Sequence, residues 1–312
     1  MPALQAQTGT LYPDTVALRH IFGYSDYSLR STFALDNTEF GPRIEGSLLA
    51  DVLVVSVDID TGSLESYRVL SDERQYSIGI SVLDTRDIQR NIINSAQDQW
   101  SRHIIQSFQF TIGQGKYVGR ARGRFLFGDT KTITFSELKP EFEAVVGARS
   151  YILVFHGVSE DMRVLRQLGI GQQARCILDT TKASQFPLQR SSKPSSEVML
   201  ETLGIHFDNL HAAGNDAHFV LKALLMLAVR DAQIQHVVPS KDVLSVLTAL
   251  ERIARAPTPA PAPKPLPKPP RVKRPKQPKK QDTARKRRRA RRKLERETQA
   301  LEQSATVSGG DL

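Results

Sequence analysis

The first strong pattern in the sequence is a series of short apolar runs, each of the length of a β-strand. Residues 52–57 are a nearly unbroken β-branched run, the pattern of a strand covered on both faces. Residues 76–83 and 104–112 alternate apolar and polar positions, which predicts two further strands. Since no segment of crossover length separates the first two strands, the three predict an antiparallel meander.

Helix and strand signals alternate after this meander. Ser136 caps a predicted helix that ends at Gly147. The elements predicted next are a strand at 151–155, a helix at 159–168, a strand at 176–178, and helices at 196–203, after Asn215 and at 240–255. A meander followed by alternating helices and strands predicts an α/β fold, with a five-stranded mixed sheet flanked by helices.

These elements predict one globular domain with extensions at both ends. The domain spans 46–255, and the preceding 1–45 form an N-terminal extension with one short helix near 15–22. A Pro/Ala/Lys-rich linker at 256–270 is expected to be extended, and a basic low-complexity tail at 271–312 follows it.

Charge divides the chain at the same boundary. Residues 256–312 hold seventeen Lys/Arg and five Asp/Glu, a net of +12, so the first 255 residues carry about −2 of the total +10. Such a tail is expected to be disordered alone and to favour a helix on a polyanion. It predicts nucleic-acid binding, although a nuclear-import signal has the same composition. The densest arginines are Arg287, Arg288, Arg289, Arg291 and Arg292.

Cysteine content and hydropathy indicate in which cellular compartment the protein is expected. A single cysteine, Cys176, cannot form an internal disulfide, and no leader pattern opens the sequence. No run approaches the roughly 20 apolar residues that span a bilayer. We therefore expect a nuclear or cytoplasmic protein, the nucleus being favoured by the basic tail, with no membrane partner and with protein partners undetermined.

Four acidic residues lie where predicted elements begin or end. Asp58 and Asp60 point to one face at the end of the first strand, Asp161 lies in the first turn of a helix, and Asp216 opens the long helix. Each alone has an ordinary explanation, as a solvated strand-end acid or an acid facing a helix dipole. Together they predict ligands for two Mg²⁺ or Mn²⁺ ions about 3.5–4 Å apart.

Two histidines accompany these acids. His211, five residues before Asp216, is a candidate general base that would take a proton from an attacking water. His156 follows the strand at 151–155 and is either a supporting partner of Asp161 or an ordinary strand-end histidine.

The basic loop at 116–124 mixes cations with aromatic residues. Cations meet phosphates and aromatic rings stack on bases, so the loop predicts a contact with single-stranded nucleic acid. A solvated hairpin tip is the alternative. The candidate residues are Lys116, Tyr117, Arg120, Arg122 and Arg124.

The order of these motifs resembles that of the DEDDh 3′-5′ exonucleases, and residues 51 to about 232 resemble the fungal exonuclease-like branch of that family. Besides the acids, the resemblance is carried by 78–87, 125–128, 203–205 and 211–217. It implies a ribonuclease-H-like fold and metal-dependent cleavage of RNA or single-stranded DNA. The implied metal ligands are Asp58, Asp161 and Asp216, and the implied general base is His211.

One position departs from the family pattern. Asp60 stands where the family usually has Glu, which shortens the side chain by one methylene, about 1.5 Å, where a misplacement of 1 Å can reduce a rate about a hundredfold. The alternative function is therefore a catalytically weak or inactive exonuclease-like module that binds nucleic acid or protein.

Overall fold

The computed structural model describes residues 9–24, 40–93, 104–235, 239–260 and 280–307, with side chains in the last range described for 285–299. The chain divides into two compact units, Met1–Pro261 and Ala262–Leu312. The strands are β1 (Leu53–Thr61), β2 (Tyr76–Asp84), β3 (Gln106–Ile112), β4 (Thr130–Thr132), β5 (Tyr151–Phe155) and β6 (Ile177–Asp179). The helices are α1 (Pro13–Phe22), α2 (Thr85–Ile93), α3 (Lys116–Arg122), α4 (Phe135–Val146), α5 (Ser159–Gln167), α6 (Thr180–Ala183), α7 (Ser196–Thr202), α8 (Ala213–Ile234), α9 (Lys241–Ala254) and α10 (Lys280–Val307).

All six strands form one mixed sheet in the order β4-β3-β2-β1-β5-β6. Strands β1, β2 and β3 are antiparallel neighbours, which confirms the meander, while β5 is parallel to β1 and β6 to β5. The predicted α/β fold with a helix-flanked mixed sheet is confirmed. The sheet has one strand more than the expected five, because β4 pairs three residues with β3 and is too short to show a hydrophobic pattern.

Strand β1 has two different faces. Val55, Val57 and Ile59 belong to the apolar cluster that also contains residues of α4 and α5. The opposite face begins with Val54, in the cluster that contains most of α8, and then continues with Ser56, Asp58 and Asp60. The α8 side of the central strand therefore changes from buried apolar residues to carboxylates along its length.

Residues 116–124, expected to form a loop or hairpin tip, instead contain helix α3, so that prediction is wrong. The buried Gln109 amide donates to the Ala121 carbonyl at 3.1 Å, and the Tyr117 N–H donates to Gln75 Oε1 at 3.1 Å. These tertiary bonds stabilise a seven-residue helix that has little hydrophobic periodicity of its own.

Two helix starts also differ in detail from the expectation. Helix α4 begins after Thr134 rather than Ser136, since Thr134 and Glu137 form a capping box in which the Thr134 N–H donates to Glu137 Oε2 at 2.7 Å. Helix α8 begins at Ala213, two residues before Asn215, and this places Asp216 in its first turn.

Helix α1, predicted near 15–22, packs into the core. Its side chains Leu18, Ile21 and Phe22 are fully buried. The Nε and Nη2 groups of Arg19 each donate to the Asp231 carboxylate on α8 at 2.8 Å, and this joins the two helices. The domain boundary at residue 45 stays a prediction.

The second unit contains α10. Its described side chains are all exposed, Leu294 included, so this part of the helix buries no apolar surface. The predicted linker and tail residues 261–279 and 308–312 lie outside the described residues. Within the described ranges, no helix combines the length and apolarity needed to cross a bilayer.

Candidate active site

The sheet brings the first two motifs to one edge. Strands β1 and β5 are parallel, and their pairing ends at Ser56 and Val154, so the acids of β1 lie just beyond it. The chain leaving β5 enters α5 near the same edge, where the Ile59 backbone N–H opposes the rise in the pKa of Asp161. Asp161 therefore lies near the backbone between Asp58 and Asp60.

The third motif reaches this edge because a glycine lets α8 approach β2. Gly79 lies opposite Asp58 in the β1–β2 register, and a Cβ at Gly79 would lie 1.9 Å from the Ala213 carbonyl oxygen. Any side chain at this position would displace the start of α8. The glycine therefore allows Asp216 to stand beside Asp58.

A polar network then fixes the start of α8. The Gly214 N–H donates to Gln109 Oε1 at 3.1 Å, and the fully buried Asn215 accepts from the Leu126 N–H at 3.0 Å. The Asn215 amide donates to the Arg124 and Asn209 carbonyls, both at 2.9 Å. These contacts give a physical reason why 78–87, 125–128 and 211–217 are informative in the sequence, since all three stretches meet here.

The resulting acidic cluster contains Asp58, Asp60 and Asp216, which each offer one carboxylate oxygen within 4.8 Å of the others. Asp161 lies outside this set but acts electrostatically on Asp58, as Asp60 does on Asp161. The four predicted acids therefore form one group of negative charge. Their roles as metal ligands stay a prediction.

Burial and mutual repulsion change the acidity of this group. Burial, followed by the charges of Asp216, Asp161 and Asp60, raises the pKa of Asp58 well above its usual value. Burial chiefly raises the pKa values of Asp161 and Asp216 to about 7. Burial also raises the pKa of Asp60, while His211 and a hydrogen bond from Tyr117 oppose that rise.

This cluster fits divalent cations. Its candidate ligand atoms are hard oxygens, which Mg²⁺ and Mn²⁺ prefer, while burial and the charges of Asp216, Asp161 and Asp60 raise the pKa of Asp58, an effect that a bound cation would oppose. Ser56 and Ser77, on the same sheet face as the acids, have buried hydroxyls without a hydrogen-bond partner among the described residues. Water bound to a cation would supply partners for such hydroxyls.

His211 lies at the edge of the cluster with its side chain exposed. Its backbone has a φ of 64°, which is uncommon outside glycine and turns the chain sharply before α8. The His211 N–H donates to Asp216 Oδ1 at 3.3 Å, and the imidazole is close enough to Asp60 to affect its pKa. The side chain is therefore free to approach a molecule bound at the acids.

His156 contacts Thr180 and not Asp161, which agrees with the ordinary strand-end histidine that was one of its two alternatives. Its Nδ1 lies 3.0 Å from Thr180 Oγ1, and the Thr180 hydroxyl also contacts the Phe155 carbonyl at 3.0 Å. Burial lowers the pKa of His156. The ring therefore joins the ends of β5 and β6, and no hydrogen bond to Asp161 is present among the described contacts.

The five candidates at 116–124 occupy three kinds of position. Tyr117 and Arg124 lie beside the acids, where Tyr117 opposes the rise in the pKa of Asp60 and the charge of Arg124 opposes that of Asp216. Lys116 and Arg120 are exposed on α3. Arg122 donates to the hydroxyls of Thr111 and Thr132 at the β3–β4 edge. The tail candidates Arg287, Arg288, Arg289, Arg291 and Arg292 are exposed on α10.

Tyr67 was not among the sequence candidates, although it also borders the acids. It lies in a short 3-10 helix, Leu64–Tyr67, and its hydroxyl donates to the Ile59 carbonyl at 2.6 Å. Burial, followed by the charges of Asp161, Asp60 and Asp58, raises its pKa. Its position six residues after the strand carries no periodic signal, so the sequence pattern alone does not identify it.

Comparison with known proteins agrees with this geometry. The family described as "DNA polymerase III subunit epsilon-like, C-terminal domain" (DEDDh_C) matches residues 55–227, more than half of the chain. An uncharacterized nucleolar protein of Schizosaccharomyces pombe is 28% identical over 135 residues, which cover 40% of this chain and 56% of that protein. The match therefore spans just over half the length of this relative.

Proposed function

The chain belongs to the DEDDh exonuclease-like family, and on that premise we propose that it is a 3′-5′ exonuclease that hydrolyses phosphodiester bonds of RNA or single-stranded DNA. The observation that carries the proposal is the convergence of three carboxylates at the end of the central strand. Asp58, Asp60 and Asp216 each offer one oxygen within 4.8 Å of the others. Hydrolysis of phosphodiesters by metal ions requires closely spaced oxygen ligands of this kind.

Each side chain has a defined task in the proposed reaction. Asp58, Asp60, Asp161 and Asp216 would hold two Mg²⁺ or Mn²⁺ ions, which when bound supply an activated water and stabilise the leaving oxygen. His211 accepts the proton of the attacking water from the exposed side of the cluster. Arg124, whose charge acts on Asp216, attracts the phosphate backbone of the substrate.

Nucleic-acid binding is proposed for two further regions. Lys116 and Arg120 expose their charges on α3, the helix that carries Tyr117, and suit a nucleic-acid backbone that approaches the site. The arginines of α10 suit a longer polyanion. The basic tail and the nucleolar relative together support a location in the nucleus.

Nucleotide release from labelled single strands tests the proposal. RNA and DNA strands of one sequence, each with a free or a blocked 3′ end, are incubated with the full chain in Mg²⁺, Mn²⁺ or chelator. We expect release of mononucleotides from free 3′ ends only, with either metal and not with chelator. Equal release from blocked strands, or release that persists in chelator, contradicts the proposal.

Removal of residues 256–312 is expected to weaken nucleic-acid binding strongly, because the rest of the chain carries about −2 charge. The salt dependence of binding should also become flatter, since each neutralised phosphate contributes about −0.9 to its slope on duplex DNA. Binding curves of both proteins at several salt concentrations measure this. An unchanged affinity and slope would indicate that the tail acts only as a localisation signal.

The second candidate function is a weak or inactive exonuclease-like module, and the shorter acid at position 60 is the observation that favours it. Asp60→Glu lengthens the side chain by one methylene, and we expect it to raise the metal-dependent rate, by up to about a hundredfold. The matched control is Asp51→Glu, which lengthens an acid held by Arg86 and Arg149 away from the cluster. If the natural sequence and the Asp60→Glu variant are both inactive and bind no Mn²⁺, we would conclude that the protein is a binding module and not an exonuclease.

A further inference from the structure

A cavity of about 990 Å³ lies beside α8, and the described residues that line it do not include the four acids. The start of β3, residues 126–128, the end of α9 and residues 256–260 line it together with His218 and Lys222 of α8. Pockets for small molecules have volumes of about 300–1,000 Å³ and mostly apolar walls with a few polar groups. The cavity therefore has the size and the lining of a small-molecule site.

Lys222 brings a positive charge to this cavity. The residue is only 2% exposed, and its Nζ donates to the Ala256 carbonyl, which also belongs to the lining, at 2.6 Å. Burial lowers the pKa of Lys222 to about 8, and no acidic group in the described part of the chain opposes this effect. The ammonium group therefore stays mostly charged near pH 7. Because buried charges are normally paired, the cavity favours an anion beside Lys222.

A stacked pair of rings lies next to this charge. His218 precedes Lys222 by four residues, so the two side chains share one face of α8. The imidazole of His218 stacks on Phe127 with ring centroids 3.6 Å apart and an interplanar angle of 16°. Its Nδ1 lies 2.9 Å from Ser107 Oγ, which in turn lies 2.8 Å from Ser81 Oγ. Phe127 is half-buried and lines the cavity, so a planar group can pack against this fixed pair.

The sequence that follows the cavity lining does not supply the missing anion. Residues 261–280 contain eight Lys/Arg and no Asp/Glu, so their charge has the same sign as that of Lys222. Pairing of this segment with a buried ammonium group is electrostatically unfavourable. The charge of the site therefore favours a separate anionic molecule.

We propose that this cavity binds a nucleoside monophosphate, with its phosphate paired to Lys222 and its base packed against Phe127 and His218. A phosphate monoester carries about −1.5 to −2 charge at pH 7, which suits a buried ammonium group without an acidic partner. The base supplies the planar group. Nucleoside monophosphates are also the products of the proposed exonuclease, so the cavity is a product site separate from the acids. Only this product role rests on the proposed function, whereas the binding itself does not.

Calorimetry of the full chain in chelator tests the inference, because chelator removes metal-dependent binding at the acids. The ligands are the four ribonucleoside monophosphates, their nucleosides and inorganic phosphate. We expect at least one monophosphate to bind more tightly than its nucleoside and than inorganic phosphate. Lys222→Met keeps the aliphatic stem and removes the charge, and it should weaken monophosphate binding about 10- to 100-fold while nucleoside binding stays unchanged.

Three further variants complete this test. Lys222→Gln removes the charge but keeps a donor for the Ala256 carbonyl, and it should act as Lys222→Met does, with circular dichroism to show that each variant is folded. Lys241→Met is the matched control, since Lys241 is exposed at the start of α9, and it should leave all affinities unchanged. Phe127→Leu removes the ring and should weaken the binding of monophosphate and nucleoside by similar factors.

The outcomes separate this site from the proposed function. Equal losses for monophosphate and nucleoside in both Lys222 variants, or inorganic phosphate that binds as tightly as the monophosphates, overturn the inference. Monophosphate binding that needs Mn²⁺ and is lost in Asp58→Asn places the nucleotide at the acids, so the inference is wrong while the exonuclease function stands. Binding in chelator that depends on Lys222, in a protein that releases no nucleotides, supports the site and contradicts the exonuclease function.

Discussion

Asp58→Asn is expected to abolish nucleotide release and, at the same time, to stabilise the metal-free protein. Asp58 is the acid whose pKa is raised by all three others, and asparagine has nearly its shape without the charge. Loss of a ligand should reduce the rate by more than the roughly 100-fold that changes around metal ligands can cause. Removal of a poorly compensated buried charge should add about 1–3 kcal/mol to the free energy of unfolding.

Urea unfolding in chelator, with and without the substitution, measures the second effect. The matched control is Asp51→Asn, because Asp51 accepts hydrogen bonds from Arg86 and Arg149 and its pKa is lowered. This exposed change should reduce stability by up to about 1 kcal/mol. A metal-free Asp58→Asn protein that unfolds more readily than the natural sequence would show that the charge of Asp58 is compensated.

The same charges predict how stability depends on pH. The folded protein keeps protons on Asp161 and Asp216 up to about pH 7, whereas the unfolded chain releases them near pH 4. Raised acidic pKa values therefore stabilise the metal-free protein below about pH 4, and this stabilisation is lost as the pH rises to about 7. Asp58→Asn should flatten the decline, and Mn²⁺ should reverse it.

His211→Asn is expected to lower the catalytic rate about 10²- to 10⁴-fold, the usual contribution of a general base, with little change in Mn²⁺ affinity. The contact of His211 with Asp216 is made by the backbone N–H, which asparagine retains. Asparagine also tolerates the positive φ at this position better than alanine does. The substitution therefore removes the imidazole and leaves the cluster in place.

Single-turnover rates and Mn²⁺ titrations of His211→Asn separate the two quantities. His206→Asn is the control, since His206 is an exposed histidine near the same loop whose Nδ1 lies 3.9 Å from Asp208. We expect no change in rate for the control. An unchanged rate in His211→Asn would assign proton transfer to another group, and a large loss of Mn²⁺ affinity would assign His211 to metal binding.

The main elements of this fold could be predicted because each has a strong local pattern. The β-branched run of β1 identifies a central strand, and the alternation in β2 identifies a second strand. The spacing of Asp58 and Asp60 gives their common face. The order of the three motifs then predicts that the acids meet. Their convergence follows from parallel pairing of β1 and β5, a regular feature of such sheets.

The structural features that the sequence pattern did not predict depend on tertiary contacts. Helix α3 forms where Gln75 and Gln109 supply hydrogen-bond partners, and neither glutamine is distinguishable from a surface residue in the sequence. His156 contacts Thr180 because β5 and β6 end side by side, and the direction of a strand-end side chain is not fixed by periodicity. The position of Tyr117 beside Asp60 was not predicted because the same helix was missed.

The close approach of α8 to β2 at Gly79 also determines when the site can exist during synthesis. Asp58 and Asp60 leave the ribosome early, whereas Asp216 joins them only after α8 has been made and has packed on the sheet. Contacts between residues so far apart in the chain form late in folding, because the long intervening loop must close first. A nascent chain that still lacks α8 therefore carries Asp58 and Asp60 without Asp216, and the acidic cluster is complete only after α8 has been made.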